Sequence, residues 1–194
     1  MKILKINQKN LVEEAVKAIK NNRVIVCPTD TVYGLIADAT NKKAVEKIFK
    51  IKKRPKTKPI PIFIKDIGAA KKLAKINKEQ ELFLKSVWPG KVTAVLERGK
   101  TRLKLSGVDK KTIALRLPKY KLLLSLAKEL NCPLTGTSAN ISRRPASTRI
   151  KEVMKQFQNQ QFKPDLIIDA GNLKASKPST VIDFTKKEIR ILRK

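Results

Sequence analysis

The stretch VIVCPTDTVYGL, Val24 to Leu35, sets a short apolar run directly against a polar loop. Val24–Cys27 reads as a short buried strand, stopped by Pro28. Thr29–Leu35 is polar and then turn-like at Gly34, so the chain is expected to loop at the end of that strand. Upstream, Lys2–Ile6 alternates weakly as a first strand, and Leu11, Ala15, Ala18 and Ile19 recur at helical spacing. Downstream, Asn41 caps a helix that turns Val45, Ile48 and Phe49 inward and ends before Pro55. Ile60–Ile64 is a strand candidate in which Pro61 marks an edge or a start. Helices follow over 66–74 and 77–87, strands over 92–96 and 112–117, and a helix over 119–130. Beyond residues 133–137, a helix over 149–157, a strand over 165–169 and a terminal hairpin over 180–184 and 189–192 complete the pattern. More strands occur than a simple βαβ alternation supplies, so the fold class is α/β with a twisted mixed sheet and flanking helices.

The 194 residues show no repeat, linker or break in composition, which predicts one domain over 1–194. Lys and Arg number 45 against 16 acidic residues, and the net charge of +29 draws polyanions and makes their binding salt-sensitive. Only 10 of the 45 cations are Arg and the lysines are spread along the chain, so a general lysine bias explains the charge equally well. Histidine is absent, which removes the commonest general base near neutral pH and the commonest metal ligand. Cys27 and Cys132 each precede a proline in an apolar run without metal-ligand spacing, as small core residues of a reducing compartment do. Neither a signal-peptide core nor an apolar run of membrane-spanning length is present, and a cytoplasmic location without membrane attachment is expected.

Four polar segments interrupt the apolar elements: PTDTVYGL (28–35), KKRPKTKP (52–59), TSANISRRPAS (137–147) and KPST (177–180). Each lies at the end of a strand or helix, and hydroxyl donors beside cations are what a polyphosphate requires. Taken singly, the hydroxyls are as well explained by capping and turn hydrogen bonds, and the cations by a solvated face. Neither GxxxxGK[ST] nor GxGxxG occurs. GTSAN lacks the second glycine of a nucleophile elbow, and a serine hydrolase has no histidine to draw on here.

In their order along the chain these segments resemble the YrdC/TsaC family, the threonylcarbamoyl-AMP synthases. The family's KxR…SxN signature falls on Lys52, Arg54, Ser138 and Asn140. PTDTVYGL, WPGKVTAVL (88–96), TIALRLP (112–118), PST (178–180) and EIRILRK (188–194) resemble further family segments. The match runs from about Asn10 to Arg193, which implies the short form without the extra C-terminal domain of longer members. The resemblance implies a YrdC-like sheet with a basic concave cleft. It also implies condensation of ATP, L-threonine and bicarbonate to threonylcarbamoyl-AMP and pyrophosphate, with a separate threonylcarbamoyl transferase complex acting downstream on tRNA. Mg²⁺ is expected on the phosphates, and no metal cluster held by the protein. By the same resemblance Thr31, Arg116, Gly136 and Ser179 serve threonine. Lys52, Arg54 and Lys58 meet the triphosphate, with Lys52 and Arg54 as the catalytic pair. Thr112, Ser138, Asn140, Ser147 and Arg193 serve the nucleotide. Lys50, Lys53 and Lys56 form the solvated remainder of the basic run.

Two departures from the family pattern stand out. Phe63 occupies a place where some members carry a threonine-contacting histidine, and Ala146 occupies that of a serine, with Ser147 next to it. A sister branch that lacks the KxR and SAN residues is not expected to make the same product; this chain keeps both. Two alternatives remain: a module binding tRNA or double-stranded RNA, which the +29 charge suits, and a low-activity partner within the tRNA-modifying machinery. Against base-specific readout of single strands, only 9 aromatic residues are available, and most fall in apolar patterns.

Overall fold

The computed structural model describes residues 1–186 and 188–194. Its chain order is β1 (Lys2–Lys5), α1 (Leu11–Lys20), β2 (Ile25–Cys27), β3 (Gly34–Ile36), α2 (Lys42–Lys52), β4 (Ile62–Phe63), α3 (Ile67–Leu73), α4 (Lys78–Val87), β5 (Val92–Glu97), β6 (Thr112–Arg116), α5 (Lys121–Leu130), β7 (Leu134–Thr135), β8 (Thr137–Ser138), α6 (Ile150–Phe157), β9 (Leu166–Asp169), β10 (Thr180–Asp183) and β11 (Arg190–Arg193). The side chains of Asn41, Asp66 and Asn77 cap α2, α3 and α4, each accepting from the N–H three residues on. No helix among the described residues is long and apolar enough to cross a membrane.

The mixed pairing expected from the sequence is present, divided between two sheets, a division the sequence did not show. One is five-stranded in the order β1-β9-β2-β3-β8, the other six-stranded in the order β11-β10-β5-β6-β4-β7. Gly34 also departs from expectation. Instead of turning the chain it opens β3, paired antiparallel with Cys27 on one side and Ser138 on the other. The turn is made by residues 28–33, between two strands too short to show a period.

Burial on both faces explains why VIVC does not alternate. Val24 and Val26 pack with α2 and α6, whereas Ile25 and Cys27 pack with α1 and α5 on the opposite face. In the second sheet one face is covered along its centre, and the other at the β4–β7 edge, where Phe63 and Leu134 join the cluster of α1 and α5. Ala94, Leu96, Ile113 and Leu115 face α3 and α4. By the period of two, Thr93 and Arg116 point to the other face, toward the loops of the first sheet. That alternation delivers polar groups to the space between the sheets.

Tyr33 ties the loop before β3 to the first sheet. Its fully buried hydroxyl donates to Gly171 O at 2.9 Å and accepts from the Ala170 N–H at 3.1 Å. Tyr33→Phe should therefore destabilise the fold by about 1 kcal/mol, because the Ala170 N–H and Gly171 O lose their shared partner. Urea unfolding monitored by circular dichroism would show this as a lower midpoint with an unchanged slope.

Candidate active site

Two adjoining cavities lie between the loops of the two sheets. The smaller, about 120 Å³, is bordered by Thr29, Thr31, Phe63, Arg116, Ser179 and Arg193 among others. Arg116 is buried to 4 % exposure at the end of β6. It donates through Nε to Gly90 O at 3.0 Å, through Nη1 to Thr31 Oγ1 at 3.1 Å and through Nη2 to Asp30 Oδ1 at 2.6 Å. Burial lowers its pKa, and the Asp30 carboxylate works against that shift. Two of its five N–H donors remain for a ligand. Asp30 is itself fixed by the Lys119 N–H at 3.1 Å. The remaining wall comes from the chain's last strand. Arg193 donates to Ser179 O at 2.9 Å and to Ser179 Oγ at 3.2 Å, and Ser179 Oγ lies 2.8 Å from Thr93 Oγ1. Arg193 is thus anchored, and burial lowers its pKa as well.

The larger cavity, about 340 Å³, is bordered by Lys52, Lys53, Arg54, Lys58 and Arg143 together with Ser138, Asn140 and Ser142. Among the described residues, five cations and no carboxylate line it. Arg54 and Ser138 border both cavities, so the two are contiguous. Arg54 braces its own loop, donating to Lys58 O and Pro59 O, both at 2.9 Å. Lys52 differs from what a basic run suggests. It is 2 % exposed, and its ammonium donates to Ser138 O at 2.5 Å, Asn140 O at 2.9 Å and Asn140 Oδ1 at 3.0 Å. All three protons of Lys52 are directed at the SAN loop. Asn140 is similarly engaged, because its amide donates to Ile141 O and Arg144 O while its Oδ1 also accepts from Ser138 Oγ. Lys52 thus borders the large cavity while its ammonium also clamps the loop from which Ser138 is presented.

Thr31, Gly136, Ser179, Arg116 and Arg193 meet at the small cavity, and Lys52, Lys58 and Asn140 at the large one. Thr112 and Ser147 border neither. Thr112 opens β6, at the opposite end from Arg116, with its hydroxyl 3.3 Å from Asp109 Oδ1. Ser147 turns its hydroxyl to Glu152 and accepts from the Arg149 N–H, serving the start of α6. Lys53, read as solvated, borders the large cavity, whereas Lys50 lies over the Phe162 ring and Lys56 is 3.5 Å from Glu46. Phe63 packs its ring against Gly136, where a Cβ would come within 2.8 Å, and 5.6 Å from the Arg116 guanidinium. Asp30, the partner of Arg116, was missed in the sequence; the only signal was a carboxylate between two threonines beside a strand end. A separate cavity of about 470 Å³, bordered by Ile64, Leu73, Leu103 and Cys132, holds none of the candidate residues.

The Sua5_yciO_yrdC family, described as "Telomere recombination", matches residues 17–194. A putative threonylcarbamoyl-AMP synthase of Methanocaldococcus jannaschii is 34% identical over 196 residues, covering 100% of this chain and 91% of that protein. The crystal structure of P. abyssi Sua5 complexed with L-threonine shares 33% identity at a TM-score of 0.86, covering 99% of this chain and 56% of that one. E. coli YciO shares 27% identity at a TM-score of 0.86, covering 100% and 96%. The chain thus spans nearly all of two relatives and little more than half of the third.

Burial, followed by the nearby Arg54 charge, pushes Lys52 down to about 7 from an ordinary lysine value of 10.5. Between these values the unfolded chain holds a proton that the folded chain does not, so this group adds stability as pH rises through that window. The stability of the wild type relative to Lys52→Met should therefore grow from pH 7 to pH 9, by up to about 1.4 kcal/mol per pH unit. Denaturant unfolding at several pH values checks this; a difference flat with pH would mean that Lys52 titrates as an ordinary lysine.

Proposed function

The chain belongs to the Sua5/YciO/YrdC family, and on that premise we propose that it is a threonylcarbamoyl-AMP synthase, acting as one domain over 1–194. The observation that carries this reading is the contiguity of the two cavities. A pocket the size of a small amino acid, holding a buried arginine and hydroxyls, opens through Arg54 and Ser138 onto a cavity whose charged lining residues, among those described, are all cations. The P. abyssi relative is complexed with L-threonine, and a ligand of that size suits the smaller pocket.

In the proposed reaction the amine of threonine and bicarbonate give a carbamate and water. A carbamate oxygen then forms a bond to the α-phosphorus of ATP as the bond to the β-phosphate oxygen breaks and pyrophosphate leaves. Arg116, held by Asp30, would take the threonine carboxylate with its remaining donors, a charge-assisted pair. Thr31, Ser179 and the Gly136 backbone would orient the rest of the amino acid, with Arg193 closing that end beside the nucleotide. Arg54 and Lys58 would meet the phosphates and offset the charge gathering on the departing pyrophosphate. Lys52 would shape the SAN loop and, when protonated, add its charge beside the phosphates. Holding three reactants in line supplies much of the rate without a histidine.

The cavity's donor set of ammonium, guanidinium and hydroxyl groups does not fit a metal held by the protein, and no cluster of metal-ligating residues occurs among the described residues. Mg²⁺ would enter as part of the nucleotide substrate. The product would pass to a separate transferase that modifies tRNA.

Pyrophosphate release from ATP should require threonine and bicarbonate together and fall at least about a hundredfold in Arg54→Ala. Absence of release from the folded wild type under every combination of substrates would overturn the reading. Thr31→Val should raise the threonine KM about fivefold, the loss of one hydrogen bond, before the ATP KM changes. Steady-state kinetics with each substrate varied separates the two; an unchanged threonine KM would remove Thr31 from the amino-acid end.

A further inference from the structure

Among the described residues, four that are not glycine adopt positive φ: Asn22, Lys53, Asn131 and Arg143, the last at 71°. A residue with a Cβ is uncommon in this region, and asparagine tolerates it best. Asn22 and Asn131 lie just past α1 and α5, where helices commonly end in this conformation. Lys53 caps α2 in the same way. Arg143 caps no helix. It stands in the loop after β8, at a backbone conformation that glycine adopts without strain.

The surroundings of Arg143 supply what its backbone does not explain. It borders the 340 Å³ cavity together with Arg54 and Lys58. It enters no ion pair among the described residues, although Arg149, further along the same segment, reaches Glu152 at 3.5 Å. Beside it the buried hydroxyl of Ser142, which also borders the cavity, has no hydrogen-bond partner among the described residues. A strained backbone that carries a long cation to the edge of a cavity already lined with cations points to a polyanionic ligand rather than to the fold.

We propose that Arg143 is a phosphate ligand of this cavity. From the loop after β8 it meets the same polyphosphate that Arg54 and Lys58 meet from the loop after α2, so the phosphates are gripped from both sides. The planar guanidinium presents paired N–H groups that match two phosphate oxygens. The ligands it would take are the β- and γ-phosphates of a nucleotide and the pyrophosphate released from it. This rests on the reading of the cavity as the phosphate end of a synthase.

The test is calorimetric titration of the full chain with ATP and with inorganic pyrophosphate, beside thermal unfolding, in wild type, Arg143→Gly and Arg143→Gln. Arg143→Gly should melt at the wild-type temperature or about 2–4 °C above it, because the backbone strain is relieved. Both variants should bind both ligands about tenfold more weakly or worse, as expected when a charge-assisted contact is lost. If Arg143→Gly melts lower, the same weakening is required of Arg143→Gln, which keeps the side-chain length without the charge. Wild-type affinity in the variants would overturn the proposal while leaving the synthase reading intact wherever wild-type turnover is observed. Weakened pyrophosphate binding in a protein that shows no turnover would support Arg143 and overturn the synthase. A wild type that binds neither ligand overturns both.

Discussion

The ammonium of Lys52 joins two loops that the chain keeps 86 residues apart. It sits at the last turn of α2 and gives its three protons to the backbone and amide oxygens of Ser138 and Asn140. Among the described residues no carboxylate shares this contact, so the ammonium, when protonated, is stabilised by dipoles alone. A buried cation without a counter-ion is a costly way to hold a loop if holding is all it does. It is reasonable chemistry where an anion is to arrive next to it. That anchor fixes the SAN loop that carries Ser138, while Arg54 is braced separately by its own loop through Lys58 O and Pro59 O.

The second buried cation is organised differently. Arg116 has a carboxylate partner in Asp30, and the pair is oriented further by Gly90 O and the Lys119 N–H. Its charge is balanced before any ligand enters, which suits recognition by geometry. The two cavities therefore differ in character as well as size: one presents a fixed fork within a neutralised frame, the other an unbalanced positive field. The proposed ligands, a small zwitterion and a polyanion, would call for that division.

Much of this was legible in the sequence, and the unread parts have physical reasons. Asn41, Asp66 and Asn77 announce helix starts because capping is local. The terminal hairpin was legible because its strands are neighbours in the chain. The separation into two sheets was not, since β2 pairs with β9 and β4 with β6 across long stretches of sequence. Gly34 was misread because a strand of three buried residues offers no alternation. Lys52 was hidden in a run where six of ten residues are cationic, although it stands four residues after Ile48 on the inward face of α2. That spacing was the available sign of its burial. Thr112 and Ser147 lie in segments that match the family, and their hydroxyls are turned here to Asp109 and Glu152.

Arg54 and Ser138 border both cavities. Whatever occupies one therefore meets groups already committed, or already released, by the occupant of the other. Thermodynamic linkage makes such an influence mutual: if the amino acid changes the affinity for the nucleotide by some factor, the nucleotide changes the affinity for the amino acid by the same factor. In the proposed synthase such a shared wall would let a protein of this size have cooperativity between unlike ligands within a single copy of the chain, with no second subunit and no large domain movement.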